Sequence, residues 1–306
     1  MVRSLLLAGC VFGVVAMTGP ANARTLDPAK AEDAVEISKR VHCGIGDQPA
    51  VMHWSGRIYS RVQGEPDRHL FDGEGMNIRR CLPVSDPKRG KGYRLVSREV
   101  MVFTDPATGK IIREWNNPWT GETVEVMQIA NDPVNMRPSF PFGAYGKFAS
   151  EMPIKRMGDW VLMPVEVPLF YPNPLAGAYQ DYVGNKYHAM EIFDFAARAD
   201  ELLDTRRPTA YPVISWVRIS DWMPWMKMGG RHGQIVFNAM GTKLKGFDEL
   251  PKLLKDEIAA RYPEYTAPPP ADDQRPNATT WTVFKKQIDA ERAARGPAAP
   301  RSTGQH

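Results

Sequence analysis

The sequence predicts a mainly β fold: one large antiparallel sheet closed into a barrel, with peripheral N- and C-terminal helices. Three observations point there. Tyr93–Phe103, Tyr187–Phe195 and Val213–Trp222 are aromatic-rich runs of strand type. Turn words built from Pro, Gly, Asn and Asp separate neighbouring runs by only a few residues, the spacing of hairpins rather than of crossover helices. Many antiparallel strands leave edges that closure removes, and a barrel of about eight strands can enclose one small ligand.

Met1–Ala23 reads as a signal peptide and is set apart from the fold. Arg3 stands near its start, Leu5–Met17 is apolar, and Ala21-Asn22-Ala23 makes a small-residue exit. Cleavage near Ala23 makes the protein periplasmic or secreted. Leu7-Ala8-Gly9-Cys10 also matches a lipoprotein box. The apolar run continues past it through Val11–Met17, so lipidation at Cys10 is the lesser reading. The run is short for a membrane span, and no later segment approaches one.

Asp27-Pro28 is expected to start a helix that Gly44 stops, with Asp27 capping and Pro28 in the first turn. Strands follow over Trp54–Val62 and Gly73–Cys81, then a polar turn at Asp86–Gly92. Tyr93–Phe103 leads through Asp105-Pro106-Ala107-Thr108-Gly109 into Lys110–Trp115, and Asn116–Gly121 turns into Glu122–Ala130, a three-stranded meander. Trp160–Leu169 is a further strand, marked as interrupted or at an edge by Pro164 and Pro168. Tyr187–Phe195, Val213–Trp222 and His232–Met240 continue the pattern. Leu250, Leu253, Leu254 and Ile258 recur on one side of a helix over Phe247–Arg261. Pro268-Pro269-Pro270 begins a stiff connector, and Trp281–Arg295 is a second helix anchored by Phe284 and Ile288. The domains are therefore a leader to residue 23, a barrel domain over 24–265, a connector and packed helix over 266–295, and a disordered tail over 296–306.

The 306-residue chain carries a formal charge of +4. Its Lys and Arg residues are scattered among Asp and Glu rather than gathered in a stripe, which argues against nucleic-acid binding. Beyond the leader the chain holds one pair of cysteines, Cys43 and Cys81, which either bridge or stay as two buried thiols. Their spacing is neither that of a zinc site nor that of a redox pair. No Rossmann fingerprint, P-loop, haem-attachment word or HExxH motif is present, and Gly143-Ala144-Tyr145-Gly146-Lys147 is too weak to replace a P-loop. No cofactor and no metal are expected. Asn277-Ala278-Thr279 has the form of a glycosylation acceptor.

Several longer words occur together: Ser97-Arg98-Glu99-Val100, Trp115-Asn116-Asn117-Pro118-Trp119-Thr120-Gly121-Glu122 and Ala130-Asn131-Asp132-Pro133-Val134-Asn135. With Trp222-Met223-Pro224-Trp225-Met226 and Gly246-Phe247-Asp248-Glu249-Leu250-Pro251, they resemble the DUF1838 family of often exported proteins. The resemblance covers about Val51 to Pro268. It transfers no reaction and no ligand; a relationship to calycin-like barrels would fit it.

Charges inside these strands single out the candidate chemistry, because buried charges are paired, hydrated or turned toward a ligand. Alternation puts Glu99 on the side of Leu95, Met101 and Phe103, and Arg98 on the other. Tyr187, Glu191, Phe193 and Phe195 share one face of their strand, while His188 takes the opposite one. Trp216, Arg218 and Trp222 alternate together in the next strand. Glu99, His188, Glu191, Arg218 and His232 are the candidate catalytic residues, the last in a flexible turn after Gly229-Gly230-Arg231. Tyr187, Phe193, Trp216, Trp222, Trp115 and Trp119 are the candidate walls of a site for a small aromatic or hydrophobic molecule.

The expected function is cofactor-independent acid–base chemistry, a lyase or isomerase acting on a small phenolic molecule. Arg218 would hold an anionic group while a carboxylate and a histidine exchange protons. The alternative is a periplasmic carrier or sensor, which the same enclosing walls would suit.

Overall fold

The computed structural model describes residues 24–144 and 153–295. The leader with its Cys10 box, Tyr145–Lys147 of the glycine-containing word, and the tail from Gly296 lie outside the described residues.

The strands are β1 (Ala50–Arg61), β2 (Arg68–Asp86), β3 (Gly90–Thr104), β4 (Glu114–Asn116), β5 (Thr123–Glu125) and β6 (Ile129–Asn131). They continue with β7 (Met136–Ser139), β8 (Lys155–Met157), β9 (Trp160–Pro172), β10 (Lys186–Arg198), β11 (Val213–Ser220) and β12 (Gln234–Leu244). The helices are α1 (Ala31–His42), α2 (Ala199–Leu202), α3 (Lys252–Arg261) and α4 (Thr280–Arg295). Ten strands make one antiparallel sheet in the order β6-β3-β2-β1-β12-β11-β10-β9-β8, with β7 also on β3.

This order corrects the expected closed, calycin-like barrel. The path ends at β6 and β7 on one side and at β8 on the other, and among the described residues no ladder joins the two ends. The physical reason lies in β9. Beyond its short pairing with β8, which stops at Lys155↔Leu162, its outer edge pairs with no strand among the described residues. Pro164, Pro168 and Pro172 recur there at one parity opposite Asp194, Met190 and Lys186 of β10. Proline has no N–H, so residues at this parity preserve the β10 ladder only by leaving the outer edge without donors. Such an edge cannot zip onto another strand.

Other boundaries shift for local reasons. Asp27 does not cap the helix directly: its carboxylate accepts from Ala29 N and its carbonyl from Lys30 N, a turn that delays α1 to Ala31. The meander is shorter than expected. β4 and β5 form a separate two-stranded ribbon, while Ile111 makes only an isolated bridge to Thr104. Pro251 divides the expected helix over Phe247–Arg261 into a 3-10 turn, Phe247–Glu249, and α3.

The two sheet faces pack differently. On the outer face, Leu250, Leu254 and Ile258 cover Val51, Met76, Ile78, Val100 and Val102. Fully burying such a side chain contributes roughly 1.5–3 kcal/mol. On the inner face, Phe71 and Phe103 meet Trp225 from the 3-10 turn Pro224–Met226 and Phe237 packs on Phe103, forming a solid aromatic cluster. At the opposite end of that face, Ile37 and Val41 of α1 pack with Met52, Phe195 and Ile214. Cys43 and Cys81 are joined in a disulfide that ties the end of α1 to β2. The helix α4 buries Trp281, Phe284 and Ile288, with Trp281 set 4.5 Å from the ring of Tyr187.

Candidate functional site

Between the aromatic cluster and α1 the inner face is hollow. A cavity of about 460 Å³ lies there, within the usual range for small-molecule sites. Its walls come from β1, β2 and β3 on one side and from β9, β10 and β11 on the other, so the open sheet is concave at this point. Val167, Leu169 and Tyr171 from the free-edged β9 and Asn277–Trp281 before and at the start of α4 complete the lining. Met136 lines it too while half exposed, placing the rim near the β7 edge.

Strand alternation explains who faces in. Leu95, Ser97, Glu99 and Met101 of β3 line the cavity, whereas Arg98 points outward. There Arg98 meets Asp132 at 3.3 Å and donates to the Glu264 carbonyl. Tyr187, Glu191, Phe193 and Phe195 of β10 face in, as do Ile214, Trp216 and Arg218 of β11. Glycine makes room for one wall. A Cβ on Gly75 would lie 2.5 Å from the Trp54 indole, so only glycine lets that ring lie flat against β2.

Two polar groups face each other across the cavity. Glu191 and Arg218 stand directly opposite in the β10–β11 ladder, their side chains 3.4 Å apart. Arg218 also donates to the Tyr187 hydroxyl and lies over the Trp281 ring at 5.6 Å. Burial opposes the charge on Arg218, but Glu191 and Tyr187 outweigh it and its pKa is raised. Burial pushes the Tyr187 phenol up to about 12 against the pull of Arg218, so it remains a neutral O–H donor. On the other wall, Glu99 accepts from Asn131 Nδ2 at 2.8 Å. Burial raises the Glu99 pKa, and the nearby Glu191 charge adds to the rise. The Asn131 hydrogen bond, Arg218 and Arg79 oppose it without cancelling it.

The structure thus brings together Glu99, Glu191 and Arg218 of the five candidate catalytic residues, and Tyr187, Phe193 and Trp216 of the six candidate wall residues. The remainder lie elsewhere. His188 is exposed on the opposite face of β10, beside Phe170, and its backbone N–H donates to Asp221. His232 is exposed in the turn before β12. Trp115, Trp119 and Trp222 belong to the packed aromatic cluster, with Trp119 at 5.1 Å from Trp222 and Trp115 at 6.0 Å from Trp225.

Among the contributors that escaped the sequence reading are Arg79, Asn131, Tyr171 and Trp281. Arg79 was legible in principle. It shares the parity of Asn77 on β2 and stands opposite Ser97, which shares the parity of Glu99. The other three arrive from a short strand, a free edge and a helix start, and no alternation pattern signals them. No group of three or more His, Cys, Asp or Glu suited to a metal ion occurs among the described residues. No described helix is long and apolar enough to cross a membrane.

Fold and site together define a protein built on an open antiparallel sheet with an internal, partly charged aromatic cavity. The chain belongs to the DUF1838 family, described as a protein family of unknown function, whose model matches residues 47–288. That span holds every cavity residue and leaves out α1. No curated protein and no solved structure matches the chain.

Proposed function

We propose that the protein is a cofactor-independent acid–base enzyme, a lyase or isomerase acting on a small aromatic molecule held in this cavity. One observation carries the reading. An enclosed carboxyl, Glu99, has its pKa raised by burial and faces a fixed Arg218–Tyr187 donor pair across an aromatic-walled space. A carboxyl moved toward neutral pH exchanges protons more effectively than an ordinary one. Arg218 and the Tyr187 hydroxyl are placed to stabilise an oxyanion on the substrate, such as a phenolate or enolate. Glu191 holds Arg218 in position. His188 and His232 have no part in this scheme. The disulfide between Cys43 and Cys81 fits an exported protein, in keeping with the leader.

The purified protein should be incubated with a matched series of phenolic and other aromatic compounds, with mass spectrometry following depletion and new products. Turnover that falls roughly 100-fold or more in E99Q supports the reading. Undiminished turnover in both E99Q and E191Q removes the acid–base assignment. A compound retained unchanged makes the protein a carrier or sensor.

A further inference from the structure

The two guanidinium groups in the cavity wall are not equivalent. Arg218 has Glu191 as its counter-ion. Arg79 pairs with no carboxylate among the described residues. Its Nε donates to Asn77 Oδ1 at 2.7 Å, and its Nη1 reaches His42 Nδ1 at only 3.5 Å. Burial, with Arg79 and Lys243 nearby, holds the His42 imidazole down to about 3, so that neighbour is neutral and brings no charge. The Nη2 group of Arg79 has no partner among the described residues, and Arg79 lines the cavity.

The side chains next to Arg79 on β2 and β3 are partnered among themselves. Asn77 Nδ2 donates to Ser97 Oγ at 3.3 Å, and Ser97 Oγ donates to the Val134 carbonyl at 2.6 Å. Ser97 N donates to Asn135 Oδ1 at 3.0 Å. This network fixes the guanidinium without neutralising it. Taking an ion out of water costs several kcal/mol unless a partner offsets it. Glu191 compensates Arg218 in direct contact. Glu99 lies near Arg79 without touching it, so Arg79 is left without a contacting counter-ion among the described residues.

We propose that Arg79 is the seat for a ligand carboxylate, so that the cavity takes a small aromatic monocarboxylate. The inference rests on the reading of the cavity as the functional site and names its ligand class. The planar, bidentate geometry of arginine suits a carboxylate. Arg79 is diagonal to Glu99 across the β2–β3 ladder, because Asn77 pairs with Glu99 and Arg79 with Ser97. Diagonal side chains of this kind lie within about 8 Å of each other. A carboxylate on Arg79 therefore sets the attached ring beside Glu99, facing the Arg218–Tyr187 donors.

Equilibrium dialysis of the purified protein against 4-hydroxycinnamate and its neutral amide tests this. The acid should bind, and the amide should bind roughly tenfold to a hundredfold more weakly. In Arg79→Gln the acid should fall to the affinity of the amide, while amide binding, which also reports an intact cavity, stays unchanged. If R79Q loses both compounds, Arg79→Lys decides: a retained preference for the acid supports the seat, and equal affinities overturn it. Equal binding of acid and amide to the unmodified protein also overturns the seat but leaves the cavity reading standing. Binding of neither compound at millimolar concentration overturns the seat and removes support from the cavity reading as well.

Discussion

The inner face of the sheet is solid at one end and hollow at the other, although both ends are rich in aromatic residues. In the solid end Phe71, Phe103, Trp115 and Trp225 pack with ring centroids 5.4–6.0 Å apart, and among the described residues no Lys or Arg lies over any of these four rings. In the hollow end Trp54, Trp216 and Trp281 form walls around Arg79, Glu99, Glu191 and Arg218. Trp216 joins the two regions, 5.6 Å from Phe237 and 6.2 Å from Trp54. Aromatic density alone therefore does not mark a binding site in this protein. Aromatics accompanied by inward charges mark the cavity instead, because a cavity spares those charges from being crushed into an apolar core.

The sharpest way to break this contrast is to damage the solid end. Trp225→Ala removes a side chain that is 1 % exposed and packs against three aromatic rings, Phe71, Phe103 and Trp115. It should cost about 3–5 kcal/mol in chemical denaturation, through lost transfer energy and the space left behind. Ligand binding per folded molecule should stay near normal. A loss of binding without a loss of stability would mean that the two ends do not divide the labour as described.

Next in size is the disulfide, which anchors α1 where it closes the hollow end. The cysteines are 38 positions apart. In the loop-entropy account, that crosslink is worth about 3–4 kcal/mol. Cys43→Ser with Cys81→Ser should lower the denaturation midpoint accordingly. An unchanged midpoint would show that Lys243, whose Nζ donates to the Arg40 and Cys43 carbonyls and to Thr209 Oγ1, holds α1 without the bridge.

A smaller effect separates the ends by their pH response. The Glu99 pKa is higher in the folded protein than in the unfolded chain. The unfolded carboxyl, near 4.3 on reference values, loses its proton first. Glu99 thus costs nothing below that pH, and stability is lost as the pH climbs from there through the folded value. E99Q should flatten this decline and equal or exceed the unmodified protein in stability at neutral pH, even while turnover is lost. A parallel decline in E99Q would place the titrating group elsewhere.

How much of this was legible is best seen strand by strand. Period-2 alternation places Glu99 and Arg98 on opposite sides of β3, and Glu191 away from His188 on β10, because register in a sheet with one enclosed face leaves no freedom of phase. Closure was not legible in the same way. It depends on whether two sequence-distant edges pair, and the prolines of β9, which already read as an edge signal, argue against it. Asn131 and Trp281 reach the site through tertiary packing of a three-residue strand and a helix start, for which local pattern has no counterpart. Trp115, Trp119 and Trp222 show the converse: strongly aromatic words whose destination, packing or pocket, is set by neighbours that the local sequence does not name.

The smallest predicted effect is the most discriminating for chemistry. His188 and His232 have the residue type most often used for proton transfer near neutral pH. Both are exposed, and neither lines the cavity. His188 touches Phe170 edge-on at 5.7 Å, and its contact with Asp221 runs through its backbone N–H rather than its ring. His188→Ala and His232→Ala should each change stability by less than about 0.5 kcal/mol, as exposed substitutions usually do. Their turnover should match the unmodified protein and keep the same pH profile. If either substitution abolished turnover while E99Q did not, proton transfer would take place on the outer face or at the turn before β12. The hollow end would then only bind, and the contrast between packed and charged aromatics would separate stability from recognition rather than from catalysis.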